Sequence, residues 1–229
     1  VKGITRGKTN VYLSAEWSPD GKYIVASKGG FRGGLPTLWM YHADGGNGIS
    51  LYTAPLNAAP GTAVQQAGAA FSADGKSIWY TQRTGAWNYN AQFPQYQIFV
   101  YNRDTGEREA QSSRYGSAVR PTLSPDGKWL VYATRYDARG ALKLRDLSTG
   151  AERWLVMDVQ RDNSQGGGGN DRDLYPASAF TPDSKSLITR SGVKSLMRSK
   201  YAAMFFGVPV APVSTLDQSV LPRRTRFSS

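Results

Sequence analysis

Short stretches of alternating apolar and polar residues recur along this chain, and each follows the same turn signature. The signature occurs four times, at residues 17–22, 71–76, 123–128 and 180–185, which read WSPDGK, FSADGK, LSPDGK and FTPDSK. Successive aspartates of these turns are 54, 52 and 57 residues apart. Behind each turn the apolar positions have a period of two, which predicts a β-strand. These positions are Ile24 and Ala26, Ile78 and Tyr80, Leu130 and Tyr132, and Leu187 and Thr189.

The residue types of the signature suit a tight hairpin turn. Proline presets φ at its second position, aspartate binds the local backbone, and glycine adopts the left-handed conformation that ends the turn. In the fourth copy Ser184 replaces the glycine. We expect this serine to cost about 1 kcal/mol if it keeps the left-handed geometry.

A second turn motif follows each of the first three signatures. It occupies residues 41–46, 101–106 and 145–150, which read YHADGG, YNRDTG and RDLSTG. Two hairpins per period make a four-stranded antiparallel sheet, which at this repeat length is typical of a propeller blade. The sequence therefore predicts an all-β fold, a β-propeller of four-stranded antiparallel blades in an incomplete set of three to four. The four aspartate turns should lie on one face of a curved array, with longer loops at residues 83–97 and 158–173.

The regular pattern fades near residue 192. We therefore assign residues 1–192 to the propeller blades and residues 193–229 to an irregular basic tail. The window in which the fourth unit should have its second turn, residues 207–215, reads GVPVAPVST. It lacks that turn, and two prolines oppose an interior strand. One hypothesis is that the tail is not genuine propeller sequence, as after a reading-frame slip or a gene truncation. The alternative is a divergent tail or an irregular last blade.

Composition excludes most thiol and metal chemistry. The 229 residues include no cysteine and one histidine, His42. This excludes cysteine-ligated zinc, iron–sulfur clusters, thiol nucleophiles and sites with several histidines. The net charge is +11, but +6 of it lies in residues 190–229 and the remainder is mixed in sign. A nucleic-acid-binding domain has a dense basic stripe instead, so we expect no nucleic-acid partner. The sequence contains no run of 18 apolar residues, which is the length that would indicate a membrane span.

Several motifs imitate a functional site. The repeat aligns His42 with Asn102 and Asp146 at a turn, and no Gly-x-Ser-x-Gly motif accompanies it. Residues 7–9 (GKT) and 75–77 (GKS) imitate the end of a phosphate-binding loop, but each lacks the required earlier glycine. Residues 165–173 (QGGGGNDRD) offer oxygen atoms to calcium without the spacing of a full ligand loop. We therefore assign no catalytic, cofactor-binding or metal-binding residues.

Aromatic residues cluster in and after the second hairpin. They are Trp79, Tyr80, Trp87, Tyr89, Phe93 and Tyr96. We expect most of them to pack between neighbouring blades, as large side chains do in stacked sheets. The stretch from residue 87 to 96 falls in a long insertion, where it either contacts a ligand or partner or, as we favour, covers a sheet edge.

The repeated turns resemble a known family. Over residues 10–192 the S-P-D-G-K units resemble the PD40 (WD40-like) repeats of TolB-type β-propellers. Two stretches, residues 36–41 (PTLWMY) and 172–185, are similar to the propeller that precedes a metal-dependent amidohydrolase domain in some bacterial exported enzymes. Related propellers occur in the periplasmic Tol–Pal system and before prolyl-oligopeptidase-type catalytic domains.

The resemblance implies a non-catalytic propeller of an exported amidohydrolase, a hydrolase whose catalytic domain this chain does not contain. The His-x-His motif of that family is absent here. Two alternatives remain: a stand-alone protein-binding propeller of Tol–Pal type, and the propeller of a prolyl-oligopeptidase-like serine peptidase. The expected partner is the missing catalytic domain or another protein, in the periplasm or outside the cell. Because the chain starts at Val1 without a secretion signal, we expect that a leader was removed or that the chain is part of a longer one.

Overall fold

The fold is built from four antiparallel sheets in sequence order. The computed structural model describes residues 3–5, 10–30, 35–52, 64–87, 94–113, 116–136, 139–161, 178–190 and 205–209. The first blade comprises β1 (Asn10–Trp17), β2 (Tyr23–Gly30), β3 (Thr37–His42) and β4 (Ile49–Ser50). The second comprises β5 (Gln66–Phe71), β6 (Ser77–Trp87), β7 (Pro94–Asn102) and β8 (Arg108–Ala110).

The third blade comprises β9 (Val119–Leu123), β10 (Trp129–Tyr136), β11 (Arg139–Asp146) and β12 (Glu152–Arg161). The fourth contains three described strands, β13 (Ser178–Phe180), β14 (Ser186–Arg190) and β15 (Phe205–Pro209). Each sheet follows chain order from its first strand to its last, with antiparallel neighbours. The predicted all-β architecture of incomplete propeller type is confirmed. The described residues contain no helix with the length and hydropathy of a membrane span.

The turn signature forms the same hydrogen-bonded module in every blade. In the first blade the Ser18 hydroxyl donates to Asp20 Oδ1 at 2.6 Å, and the Lys22 amide donates to the same oxygen at 3.0 Å. The amide of Tyr23 donates to Ser18 Oγ at 2.9 Å. The other three turns repeat these bonds with the equivalent residues. The residue types of the signature are therefore those that this repeated turn geometry requires.

The residue that follows the turn aspartate has a left-handed backbone conformation in all four blades. Gly21, Gly75 and Gly127 have φ values of 68°, 70° and 71°. Ser184 has a φ of 60°, so the serine keeps the left-handed geometry, which is the condition under which we expect it to be strained. Its hydroxyl accepts a hydrogen bond from the Asp126 amide at 3.1 Å, which links the third turn to the fourth.

The four turns lie against one another in sequence. A Cβ atom at Gly75 would be 3.6 Å from Pro19 Cδ, and one at Gly127 would be 3.8 Å from Ala73 Cβ. The bond between Asp126 and Ser184 continues this series to the fourth turn. The prediction that the aspartate turns share one face of the array is thus confirmed.

The first strands of the blades form the inner layer of the array. β1 packs against β5, β5 against β9, and β9 against β13. Each of β1, β5 and β9 has a register shift, and at the equivalent position a left-handed residue. These residues are Ser14, Gly68 and Arg120, with φ values of 52°, 60° and 56°. A bulge of this kind bends a strand, and its recurrence gives the three inner strands the same shape.

Three apolar clusters hold successive blades together. The first joins Val25 and Leu38 of the first blade to Phe71, Ile78 and Tyr80 of the second. The second cluster contains Ile98, Ala118, Leu130 and Tyr132, from the second and third blades. The third joins Val131 and Leu142 of the third blade to Leu187 of the fourth, with Tyr96 of the second blade. Among the described residues, no cluster joins the fourth blade to the first.

The second hairpin is longer than the sequence predicts. We expected a loop from residue 83 to 97, but β6 continues to Trp87 and β7 begins at Pro94. The ladder resumes after a register shift, with Trp87 opposite Pro94. Strand pairing thus replaces most of that loop, because it satisfies backbone groups that a loop leaves to water. Similarly, β12 continues to Arg161 in the expected loop at 158–173, whose other residues lie outside the described residues.

The fourth blade has a strand where we expected an irregular tail. β15 lies at residues 205–209 and pairs with β14 along its full length, from Ser186 opposite Pro209 to Arg190 opposite Phe205. β15 thus lies within the segment that we assigned to an irregular basic tail. Among the described strands β15 is the outer one of its sheet, where a proline is tolerated. The rest of 193–229 lies outside the described residues.

Burial predicts opposite results for two substitutions in the third blade. Leu130 is 1 % exposed, so Leu130→Asp places an unpaired carboxylate between blades at a cost of several kcal/mol, about 3 or more. Lys128 is exposed in the turn, so Lys128→Asp should cost about 0.5 kcal/mol or less. Thermal denaturation followed by circular dichroism should show unfolding for the first variant only. Equal thermal shifts would contradict the assigned register.

Ser184 offers a second test, because its left-handed backbone lowers the stability of the protein whereas its hydrogen bond to the Asp126 amide raises it. Ser184→Ala keeps the left-handed strain and loses the bond to the Asp126 amide, so it should destabilise the protein by about 1 kcal/mol. Ser184→Gly loses the same bond but relieves about 1 kcal/mol of strain, so its melting temperature should stay close to that of the unchanged chain. If Ser184→Ala were as stable as the unchanged chain, the bond between the turns would contribute nothing.

Candidate functional site

His42 lies at the end of β3, where its ring takes part in the second turn. Nδ1 accepts a hydrogen bond from the Asp44 amide at 3.2 Å. In the next two blades Asn102 Oδ1 accepts from the Asp104 amide at 2.9 Å, and Asp146 Oδ1 accepts from the Ser148 amide at 2.8 Å. The predicted alignment of the three residues is therefore confirmed. The ring also packs edge-on against Tyr23, with 5.4 Å between the centroids.

The GKS motif at residues 75–77, which is similar to the end of a phosphate-binding loop, is part of a hairpin turn. The amide of Lys76 donates to Asp74 Oδ1 at 3.0 Å, and the amide of Ser77 donates to Ser72 Oγ at 2.9 Å. These two amides are therefore occupied within the turn. The other imitation, at residues 7–9, and the glycine-rich stretch at 165–173 lie outside the described residues.

The turn carboxylates are held in their charged form by the turns themselves. The hydroxyl of Ser72 and the amide of Lys76 donate to Asp74 and lower the pKa of its carboxyl. The pKa values of the other turn carboxyls, Asp20, Asp126 and Asp183, are lowered as well. At Asp126 desolvation is the largest single effect and raises the pKa, but the hydrogen bonds from Ser124 and Lys128, together with the nearby charge of Lys128, outweigh it. No group of three or more histidine, aspartate or glutamate side chains suited to a metal ion occurs in the described part of the chain.

The aromatic residues of the second hairpin that the structure describes pack between blades. Tyr80 is 1 % exposed and stacks on Phe99 with 6.0 Å between the centroids. Tyr96 is buried in the cluster between the third and fourth blades, and Trp79 packs against the cluster between the second and third. The packing expected for these three is confirmed. The side chain of Trp87, and the whole of Tyr89 and Phe93, lie outside the described residues.

A recess lies on the first blade, on the face directed away from the second. Its volume is about 310 Å³, and it is lined by Tyr12, Lys28, Trp39, Tyr41 and the loop at residues 46–48. Lys28 Nζ lies 3.7 Å from the centroid of the Trp39 ring, a cation–π contact. The rings of Trp39 and Tyr41 stack with 6.5 Å between the centroids.

The loop beside the recess fits closely over Tyr41. A Cβ at Gly48 would lie 2.3 Å from Tyr41 Cε1, and Gly48 has a φ of +70°, so only glycine suits this position. Burial, together with the nearby Tyr12, raises the pKa of the Tyr41 hydroxyl above its usual value. The recess thus combines an aromatic wall with one lysine. The alternating pattern of residues 36–41 shows the aromatic residues but does not predict the recess.

Comparison with known proteins identifies the fold. No family model matches this chain, and no curated protein is similar to it. Among solved structures, the chain is similar to TolB from Acinetobacter baumannii, with 19% identity and a TM-score of 0.50 over 80% of this chain and 36% of that chain. It is similar to an oligogalacturonate lyase in complex with manganese, with 17% identity and a TM-score of 0.57 over 87% of this chain and 48% of that chain.

A third similar structure comes from an analysis of two prolyl endopeptidases, with 16% identity and a TM-score of 0.51 over 80% of this chain and 26% of that chain. This chain spans between a quarter and a half of the length of the three proteins. At these identities the similarity shows the fold alone, a β-propeller fold that the chain shares with TolB and the other two structures.

The lowered pKa values predict how the turns respond to acid. Because folding lowers the pKa of Asp74, its contribution to stability is complete above the unfolded-state pKa of about 3.9 and is lost as the pH falls through the lower folded-state value. Asp74→Asn removes this titration and retains an acceptor oxygen. The difference in melting temperature between the unchanged chain and Asp74→Asn should therefore shrink below about pH 4. A difference that stayed constant from neutral to acid pH would contradict the prediction.

Proposed function

We propose that this chain is a non-catalytic β-propeller region of an exported metal-dependent amidohydrolase, and that a separate domain carries the catalysis. The observation on which the proposal depends is the use of His42, the only histidine of the sequence. Its Nδ1 takes the same place in a turn as the side-chain oxygens of Asn102 and Asp146. The one imidazole of the chain thus serves a repeated structural role.

The carboxylates support the same conclusion. Each Asp of the first turn motif accepts hydrogen bonds from its own turn. A catalytic zinc site usually has three protein ligands and an open position for water. With no cysteine and one histidine, the other ligands would have to be carboxylates, and the repeat uses most of the described aspartates in turns. The propeller would then shape or limit access to an active site elsewhere.

The link to amidohydrolases comes from the sequence motifs, and the structure suggests what one of them does. Residues 36–41 lie where the first blade meets the second. The Gln66 amide donates to the Pro36 carbonyl at 2.8 Å, and the Leu38 amide donates to Gln66 Oε1 at 3.1 Å. Gln66 is 1 % exposed and also donates to Gln82 Oε1 at 2.8 Å. This motif therefore supports the blade interface.

A stand-alone protein-binding propeller of Tol–Pal type is the second candidate, and the structural similarity to TolB favours it. In that case the exposed turn faces would bind protein partners in the periplasm. The similarity to a prolyl endopeptidase structure leaves a serine-peptidase propeller as a third candidate. The downstream coding sequence distinguishes the three: His-x-His indicates an amidohydrolase, Gly-x-Ser-x-Gly a peptidase, and a genuine stop codon the interaction module.

Activity assays test the non-catalytic assignment. The purified chain, supplied with zinc or manganese, should show no turnover of amide, ester or lactone substrates, because its one histidine would need carboxylates as the remaining zinc ligands and the turns use most of the described aspartates. Metal-dependent turnover that is abolished in His42→Ala would overturn the assignment. His42→Asn is the matched control, since Asn102 shows that asparagine maintains the turn. Activity lost in both variants would therefore reflect lost chemistry, and not a damaged turn.

A further inference from the structure

The second turn of the first blade leads into the only Asn-Gly pair of the sequence, Asn47 and Gly48. Asparagine is a thermolabile residue, because the backbone amide nitrogen of the next residue can attack its side-chain carbonyl carbon. A glycine at the next position leaves this attack unhindered, since it has no Cβ. Asn47 is exposed, and so are the equivalent residues Glu107 and Ala151, whose blades have a neighbour on both sides. The exposure of this position is therefore a property of the repeated turn.

Packing requires the glycine of this pair. A Cβ at Gly48 would overlap the buried ring of Tyr41, and the φ of Gly48 is +70°. The equivalent positions of the next two blades hold Arg108 and Glu152, whose side chains make hydrogen bonds. Position 48 thus departs from the repeat, and the fit against Tyr41 maintains a glycine directly after an exposed asparagine.

The Gly48 amide, which is the nucleophile in such a reaction, makes no hydrogen bond within the part of the chain that the structure describes. The second blade shows why. There the Asn102 amide donates to the Glu107 carbonyl at 2.9 Å, and the next pair of the ladder is Tyr101 with Arg108. Antiparallel pairs alternate between bonded and non-bonded, so the amide at the Arg108 position points away from the neighbouring strand. Gly48 occupies the same position in the first blade.

Other sites of the same chemistry are occupied by hydrogen bonds. An Asp-Gly pair can form the same cyclic imide, and the sequence has four such pairs. Each of their glycine amides donates to a carbonyl of its own turn at 2.8 to 2.9 Å, namely the amides of Gly21, Gly45, Gly75 and Gly127. Asn102 is held as well, because its Oδ1 accepts from two amides and the following amide, that of Arg103, donates to the Lys76 carbonyl at 2.9 Å.

We propose that Asn47 is a site of spontaneous deamidation in the folded protein. The Gly48 amide nitrogen gives up its proton and bonds to Asn47 Cγ. The bond from Cγ to Nδ2 breaks, and ammonia leaves with that proton. Water then opens the cyclic imide at one of its two carbonyls, which gives either aspartate or isoaspartate at position 47. The net reaction consumes one water molecule and releases one ammonia, without any oxidant or reductant.

The product alters the recess on the first blade. Asn47 and Lys28 both line this recess, so the reaction places a carboxylate in the same recess as the Lys28 ammonium. It also lowers the net charge of +11 by one. Isoaspartate in addition inserts a carbon atom into the main chain before Gly48, whose fit against Tyr41 is close. This inference is independent of the proposed function, and its test involves no catalytic activity.

Ageing of the purified chain at mildly alkaline pH tests the proposal. Ion-exchange chromatography should show a more acidic species that accumulates with time, and peptide mapping with fragmentation should locate aspartate and isoaspartate at position 47. Asn47→Gln is the matched control, because it retains an exposed amide of the same charge but would have to close a larger ring. It should not form this species. Gly48→Ala is unsuitable as a control, because its Cβ would overlap Tyr41.

The same incubation in urea separates the effect of the fold from that of the sequence. In the folded chain, conversion should occur at Asn47 and not at Asn102 or the Asp-Gly pairs. In urea the Asp-Gly pairs should form isoaspartate too, because their glycine amides lose the turn hydrogen bonds. Conversion of Asn47 no faster than that of Asn102 in the folded chain would overturn the proposal. Equal isoaspartate formation at the folded Asp-Gly pairs would overturn it too.

Discussion

The apolar character of both faces of a blade is the constraint on which the rest of this structure depends. In the third blade, Leu130 and Val131 are adjacent on β10 and point to opposite faces, and both are at most 1 % exposed. One packs toward the second blade and the other toward the fourth. Such a sheet cannot bury its apolar surface alone, so each blade needs a neighbour on both sides. Stability and assembly are therefore properties of the array and not of single blades.

The turn module sets the geometry that this packing requires. It fixes the start of the second strand through the hydroxyl and carboxylate of Ser18 and Asp20 and their counterparts. Neighbouring turns also contact each other. The Ser184 hydroxyl of the fourth blade accepts a hydrogen bond from the Asp126 amide of the third blade. Local hydrogen bonding and blade order are thus connected, because a turn of different shape would disturb the contact with the next one. This explains why a serine occupies a left-handed position in the fourth copy.

The sequence predicts this fold well wherever local chemistry determines structure. The turns, their left-handed residues, the strands behind them and the role of His42 all depend on residues close in sequence, and all agree with the structure. The long β6–β7 hairpin and β15 were missed because their pairing joins residues that lack the repeat signature. The recess on the first blade was missed for a different reason. It depends on how side chains of β1, β2 and β3 meet the loop at residues 46–48, and alternation alone does not contain that information.

Functional information in a repeat of this kind resides in the departures from it. Hydroxyls, carboxylates and even the single imidazole recur at equivalent positions, so their presence reflects the architecture. Departures are few among the described residues. Trp39, Phe99 and Lys143 occupy equivalent positions on the third strands of three blades, opposite Ala26, Tyr80 and Tyr132. The Trp39 ring borders a recess and lies under the amine of Lys28. The recess beside Trp39 and Lys28 is therefore a departure from the repeat, and it is here that we look for properties specific to this chain.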